Sequence, residues 1–197
     1  MLFQKPNTST MEEMLDKFAV KELIEFERYC RDNALWEQMR KCFAQDSRVV
    51  TSWYNGDGQG FVEASRKMQT VAPHKINNTL VWLNGSKAVA VTMACIQSRK
   101  EVNGRMMDLS SYVRLIYTAA KEETGWKLKS LDAIYEKDCL VPAFPEGMSP
   151  PPTARASYAN VISVIGSEGY EMNDQLAGDD RPDLRDALLG RISVWLG

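Results

Sequence analysis

Hydrophobic residues recur at two different periods along the chain, and the change from one to the other defines its organisation. Over residues 11–31 they fall at helical spacing, and Leu15, Ala19, Leu23, Phe26 and Cys30 make one stripe. A second helix follows, with Leu35, Trp36, Met39, Cys42 and Phe43 expected on its buried side. Ser47 to Tyr54 reads as a short strand. The turn Asn55-Gly56-Asp57-Gly58 then opens a third helix that carries Phe61, Ala64, Met68 and Val71 inward. From residue 74 the period becomes two. Strand 74–83 ends at Asn84-Gly85, strand 86–99 ends near Asn103-Gly104, and strands 106–119 and 126–138 flank a charged turn at Lys121 to Gly125. Three helices with one early strand, then four long antiparallel strands, predict an α+β fold with helices covering one face of a strongly curved, mainly antiparallel sheet.

The pattern changes again after Val141. Pro142 to Pro152 holds five prolines and reads as an extended linker. Helices are expected beyond it at 154–165 and 181–196. Asp180 stands at the N-cap of the second, Pro182 lies in its first turn, and Leu184, Leu188, Ile192 and Trp195 form its stripe. The expected division is therefore residues 1–141 as the main domain and 142–197 as a linker and helical tail. The tail should pack on the main domain or on a partner subunit, with Leu188, Ile192 and Trp195 buried. Residues 1–10 read as disordered.

Composition narrows the function classes. The chain has 197 residues, 44% of them hydrophobic, which is enough for a sizeable core. A formal net charge of -2 argues against a nucleic-acid or anionic-membrane partner. No stretch approaches the roughly 18 consecutive apolar residues of a membrane span. The first residues lack a basic start and apolar run, so no signal peptide is expected and the expected location is the cytoplasm. Cys30, Cys42, Cys95 and Cys139 form no CxxC pair, and with one histidine a zinc site is not expected. Met68, Met93, Met106 and Met107 read as core filling.

That one histidine, His74, is the only imidazole available for proton transfer near neutral pH. On a period of two it shares a face with Ile76, Asn78, Leu80 and Trp82, apolar apart from two polar groups at one end. Both a reactive pocket and a hydrogen-bonded core histidine have this pattern. Asp32 lies where the first helix turns back over the sheet. It is either a solvated residue at a helix C-terminus, where an acid is electrostatically disfavoured, or a partner for His74. Tyr29 is one helical turn before it. Trp53 and Tyr54 end the early strand near a possible cavity mouth. Asp108, Ser110, Tyr112 and Arg114 share one face of strand 106–119. That face is the sheet's polar outside or a polar patch on its inner side, where Tyr112 and Arg114 would orient a substrate oxygen.

Three segments carry a family resemblance. Asp32-Asn33-Ala34-Leu35-Trp36 with Phe43-Ala44-Gln45-Asp46, His74-Lys75-Ile76-Asn77-Asn78, and Gly125-Trp126-Lys127-Leu128 resemble the SnoaL-like branch of the nuclear transport factor 2-like superfamily. That branch includes scytalone dehydratase, a bile-acid dehydratase and lindane dehydrochlorinase. The resemblance spans roughly residues 12–140, and the tail from Leu176 to Pro182 with Trp195-Leu196 resembles that of some bacterial members. It implies a cone-shaped α+β barrel under N-terminal helices, and a catalytic dyad of Asp32 and His74, with Tyr29, Trp53, Tyr54, Asn78, Tyr112 and Arg114 around the substrate. Ser111 stands where the family often has an arginine. The implied activity is a lyase or isomerase of dehydratase or cyclase type. It would act without cofactor or metal on a hydrophobic cyclic small molecule, in a homodimer or homotrimer. The alternatives are a non-catalytic small-molecule binder and a protein-interaction module of the same fold.

Overall fold

The computed structural model describes residues 4–6, 9–147, 155, 157–173 and 175–196. It divides into two compact units, Met1–Val141 and Pro142–Gly197. The reading of residues 1–10 as disordered lies partly outside the described residues, and so does the proline linker beyond residue 147.

In the first unit, α1 runs Met11–Asp32. Thr10 fixes its start: the Thr10 hydroxyl accepts the Glu13 N–H at 3.1 Å, and the Glu13 carboxylate accepts the Thr10 N–H at 3.2 Å. The buried face is Val20, Ile24, Glu27, Arg28 and Cys30; of the expected stripe Cys30 is buried and Ala19 and Leu23 pack at the core's edge. Leu15 is 62% exposed and Phe26 is also exposed. The reason is that the inward face carries charge. Glu27 and Arg28 neutralise each other inside the fold, so hydrophobicity alone places the stripe about one residue off. α2 (Trp36–Cys42) buries Met39 and Cys42, while Leu35 is exposed.

β1 spans Phe43–Val50, starting earlier than the sequence predicts, and a short β2 covers Asn55–Asp57. α3 (Gly58–Lys67) starts at Asp57, whose carboxylate accepts the Gly60 N–H at 2.7 Å. It stops before Met68, so Val71 is exposed rather than inward. Then come β3 (His74–Asn84), β4 (Lys87–Val102), β5 (Arg105–Glu122) and β6 (Gly125–Pro142). Asn103 and Gly104 both take positive φ, as a two-residue type I′ hairpin requires.

The six strands form one sheet in the order β2-β1-β6-β5-β4-β3. It is mixed, because β1 pairs with β6 in parallel. β2 and β3 remain its two edges, so the sheet is curved and open and not a closed barrel. α1 packs against β3 and β4, and α3 against β1. The core between helices and sheet holds Val20, Ile24, Met39, Phe61, Val113, Leu115, Tyr117, Leu128 and Leu131. Of the methionines expected to fill it, Met93 and Met106 are exposed and Met68 and Met107 only half-buried. Met93 lies on the sheet face away from the helices, and Met106 and Met107 on the far hairpin.

The second unit contains α4 (Ala159–Gly166) and α5 (Pro182–Leu196). Asp180 does not cap α5. Its carboxylate accepts from Arg155 at 2.5 Å and from the Ser157 hydroxyl at 2.8 Å, and these bonds hold it down to about 2. Leu188 is half-buried, but Ile192 is exposed and Trp195 is 84% exposed. The second unit by itself does not bury Ile192 and Trp195 as expected.

Candidate active site

Helix α1 ends at the start of β3, and that junction assembles the site. Asp32, the last residue of α1, holds the first residue of β3 at two points. Its Oδ2 accepts the His74 backbone N–H at 2.6 Å, and its Oδ1 lies 2.8 Å from His74 Nδ1. On the other side of the ring, Arg28 Nη1 lies 3.3 Å from Nε2. Arginine only donates hydrogen bonds, so Nε2 must accept and the ring proton sits on Nδ1. The tautomer is therefore fixed by its neighbours.

Electrostatics keep the ring neutral. Burial, together with the charges of Arg28 and Arg31, pushes His74 down to about 4, although the Asp32 hydrogen bond pulls the other way. Burial works to raise the Asp32 carboxyl, but the His74 ring and backbone bonds and the Arg28 charge outweigh it and hold it below its ordinary value. Arg31 adds a contact to Asp32 Oδ1 at 3.4 Å and donates to the Ala72 carbonyl at 3.3 Å, tying α1 to the segment before β3. Arg28 is bound on its other edge by Glu27, with Nε to Oε2 at 2.5 Å and a second bond from Nη2 to Oε1. Burial opposes the Arg28 charge, but Glu27 outweighs it and the guanidinium is held well above its usual value.

His74 and Arg28 lie in the wall of a cavity of about 460 Å³. Its apolar lining is Phe61, Met68, Ile96, Leu109, Leu115 and Leu131, and Ser98, Ser111, Tyr135 and Asp138 supply polar groups. Thr51, Ser52 and Trp53 border it from the β1–β2 connection, where the Tyr135 hydroxyl donates to Ser52 Oγ at 2.8 Å. Trp53 and Phe61 pack at 5.4 Å between ring centroids. Asp32 does not line this cavity. It stands behind His74, bordering a separate small cleft of about 150 Å³.

Of the other candidate substrate residues, Trp53 alone lines the cavity. Tyr29 is exposed and stacks on Phe26. Tyr54 packs on Phe61 and donates to the Asp57 carbonyl at 2.8 Å. Asn78 is exposed because the β3–β4 register shifts between Ile76 and Asn78. That bulge swaps the faces of β3, so Thr79 and Val81 continue the inward row that His74 and Ile76 begin. Tyr112 and Arg114 are on the outer face of β5. Arg114 pairs with Glu136 at 2.8 Å, and Lys137 lies over the Tyr112 ring. Sequence reasoning missed Glu27, Arg28 and Arg31. Their signal was present: charged residues in line with Val20 and Ile24 on one helical face. Among the described residues, no group of three or more His, Cys, Asp or Glu is placed to hold a metal ion, and no helix is long and apolar enough to cross a membrane.

Open mixed sheet, N-terminal helices and a cavity between them define the cone-type α+β class. Residues 12–132 match the SnoaL-like domain family, and the chain belongs to it. A PEP2-like protein of Fusarium vanettenii is 28% identical over 138 residues, covering 67% of this chain and 59% of the relative's own length. The chain thus spans under two thirds of that relative. Among solved structures, hexachlorocyclohexane dehydrochlorinase LinA-type3 of Novosphingobium barchaimii is similar with a TM-score of 0.60 at 9% identity, covering 73% of this chain and 100% of that one. A scytalone dehydratase-like protein of Novosphingobium aromaticivorans gives a TM-score of 0.50 at 18% identity, over 66% and 93%. At these identities the structural likeness is one of fold.

Proposed function

We propose that the chain is a cofactor-independent lyase or isomerase that transfers a proton on a hydrophobic cyclic small molecule held in the cavity. The observation that carries this reading is the 2.8 Å contact between Asp32 Oδ1 and His74 Nδ1, with Nε2 directed away from Asp32 on a ring that lines the cavity. Nε2 takes a proton from substrate carbon. Asp32 then stabilises the imidazolium, as a carboxylate on the far nitrogen does best in a buried site. The proton returns to a leaving hydroxyl in a dehydration, or to another carbon in an isomerisation. Structures similar to this chain include a dehydrochlorinase and a dehydratase-like protein by name, which supports the reaction class. The apolar lining from Phe61 to Leu131 suits a flat ring system.

The test is turnover of a library of hydrophobic cyclic alcohols, halides and ketones, followed by mass spectrometry for loss of water or acid and by absorbance for a moved double bond. His74→Gln and Asp32→Asn should each lower turnover by roughly 10²–10⁴ while ligand binding persists. Turnover that survives His74→Gln overturns the reading. We also propose a homo-oligomer, because Leu80, Met93 and Tyr112 stand exposed on the sheet face that carries no helix.

A further inference from the structure

We infer that Arg28 is a cap on the base, and that only a ligand with an acceptor oxygen beside the C–H to be broken, a ketone oxygen in particular, lifts it. The inference rests on the proton-transfer reading and adds which cyclic molecules the site accepts as substrates.

In the ligand-free site the Nε2 lone pair is already occupied by Arg28 Nη1 at 3.3 Å. A lone pair engaged by a donor cannot accept a proton from carbon. Arg28 cannot swing away freely, since Glu27 grips its Nε and Nη2 and the Phe61 ring lies 5.6 Å from its central carbon. The guanidinium plane is thereby set, and the Nη1 corner is the one presented to His74 and the cavity. A hydrocarbon in the cavity offers that corner nothing in exchange for Nε2, so the base stays capped. A carbonyl oxygen does offer an exchange. Nη1 donates to the oxygen and Nε2 is left free beside the adjacent carbon.

The chemistry then balances. The Nε2 lone pair takes the α-proton, the C–H electron pair forms the enolate, and the negative charge settles on the oxygen bonded to Arg28, where the hydrogen bond strengthens. In a dehydration the enolate pair re-forms the carbonyl while the β-carbon–oxygen bond breaks. The departing hydroxide leaves as water with the proton held on Nε2.

A single histidine makes the test direct, because its ring nitrogens give the chain's only imidazole ¹⁵N signals. The probes are 2-tetralone and tetralin, one bicyclic skeleton with and without the carbonyl oxygen. In the free wild-type chain Nε2 should resonate as a hydrogen-bonded lone pair. 2-Tetralone should move it to the unbonded position and bind roughly threefold tighter than tetralin or more, less than a whole charged hydrogen bond because the bond to Nε2 is given up in exchange. Tetralin should leave it unmoved. In the Glu27→Gln/Arg28→Met double variant, which strands neither charge, Nε2 should start unbonded and the two probes should bind alike. The wild-type comparison stands even if that variant does not fold. An unbonded Nε2 in the free chain, equal affinities, equal shifts, or binding of neither probe at millimolar concentration overturns the cap. Exchange of the 2-tetralone α-protons in D₂O separates this from the parent reading. Exchange lost in His74→Gln but undiminished in the double variant sinks the cap alone. A ketone-lifted cap without any exchange sinks the proton-transfer reading.

Discussion

Acidification should destabilise this protein through His74, and the size of the effect follows from its surroundings. In the unfolded chain the imidazole titrates at its ordinary 6.5, and in the folded site at about 4. A folded value below the unfolded one means that the contribution is fully present above pH 6.5 and is lost as pH falls toward 4. The full difference corresponds to about 3 kcal/mol, of which about 2 kcal/mol is gone by pH 5. The side chain is only 4% exposed, so solvent screening removes little of this. Asp32 stays ionised across the window, since its carboxyl is held below its ordinary 3.8, and it adds its own loss only at lower pH.

The sign is the informative part, because the site contains opposing influences. A carboxylate 2.8 Å from Nδ1 should by itself raise the imidazole and make acid stabilising. Burial and two guanidinium groups oppose it. Urea unfolding at pH 7, 6 and 5, with wild type and His74→Asn compared at each pH, isolates most of the term: Asp32 loses its ring bond in the variant but keeps the residue-74 backbone N–H and the Arg28 charge, and the other titrating groups are common to both. Wild type should lose about 2 kcal/mol more than the variant between pH 7 and 5, with no change in the slope against urea. The ¹H and ¹⁵N titration of the single imidazole should show no protonation above pH 5. A midpoint above 6.5, or a wild-type stability that rises on acidification relative to His74→Asn, refutes the argument that burial and the arginines outweigh Asp32.

Arg28→Met alone strands the Glu27 carboxylate and should cost about 3–5 kcal/mol; Glu27→Gln/Arg28→Met should cost clearly less, and a double-mutant cycle in urea that finds the two losses additive would refute the buried pair. Thr10→Ala removes the start of α1 and should cost about 1 kcal/mol, read as a lower thermal midpoint. Light scattering at micromolar concentration should find an oligomer that Leu80→Glu/Met93→Glu dissociates, and a wild-type monomer ends that proposal. Ending the chain at Val141 should leave the first unit folded while altering subunit association or ligand access. No change in either, with unchanged thermal stability, would make the tail an independent appendage.

How much of this was legible in the sequence depends on what each signal measures. The order of elements and the β3–β6 meander follow from periodicity and two Asn-Gly steps, which are local properties. Tyr112 and Arg114 were equally open to a correct reading. Val113, Leu115, Tyr117 and Ala119 form an apolar row in the same strand and are the ones buried, so the even-numbered row had to face out. The early start of β1 was not legible, because its pairing with β6 is parallel and long-range. The inward face of α1 was hidden for a different reason. A charge paired inside the fold scores as solvent-facing in any hydrophobicity pattern, so the face that builds the site is the face the pattern discounts.

The bulge in β3 shows why the pair Asp32–His74 was recoverable while the supporting residue Asn78 was not. His74 sits at the first position of the strand, where its direction is set by two bonds from Asp32 and not by the ladder alone. Its placement therefore survives whatever register β3 adopts further along. Asn78 comes after the shift between Ile76 and Asn78, and one displaced residue turns it to the other face. Nothing in residues 74–82 announces that shift, since the segment contains neither glycine nor proline. The physical gain is visible in three dimensions: the bulge lets Thr79 meet the fully buried Thr92 at 3.1 Å and sends Val81 into the core, while His74 stays against α1. Strict alternation from His74 would have pointed Asn78 and Leu80 into the helices and Val81 out. The strand thus serves two packing demands, one from the site and one from the core, and the bulge is where they are reconciled.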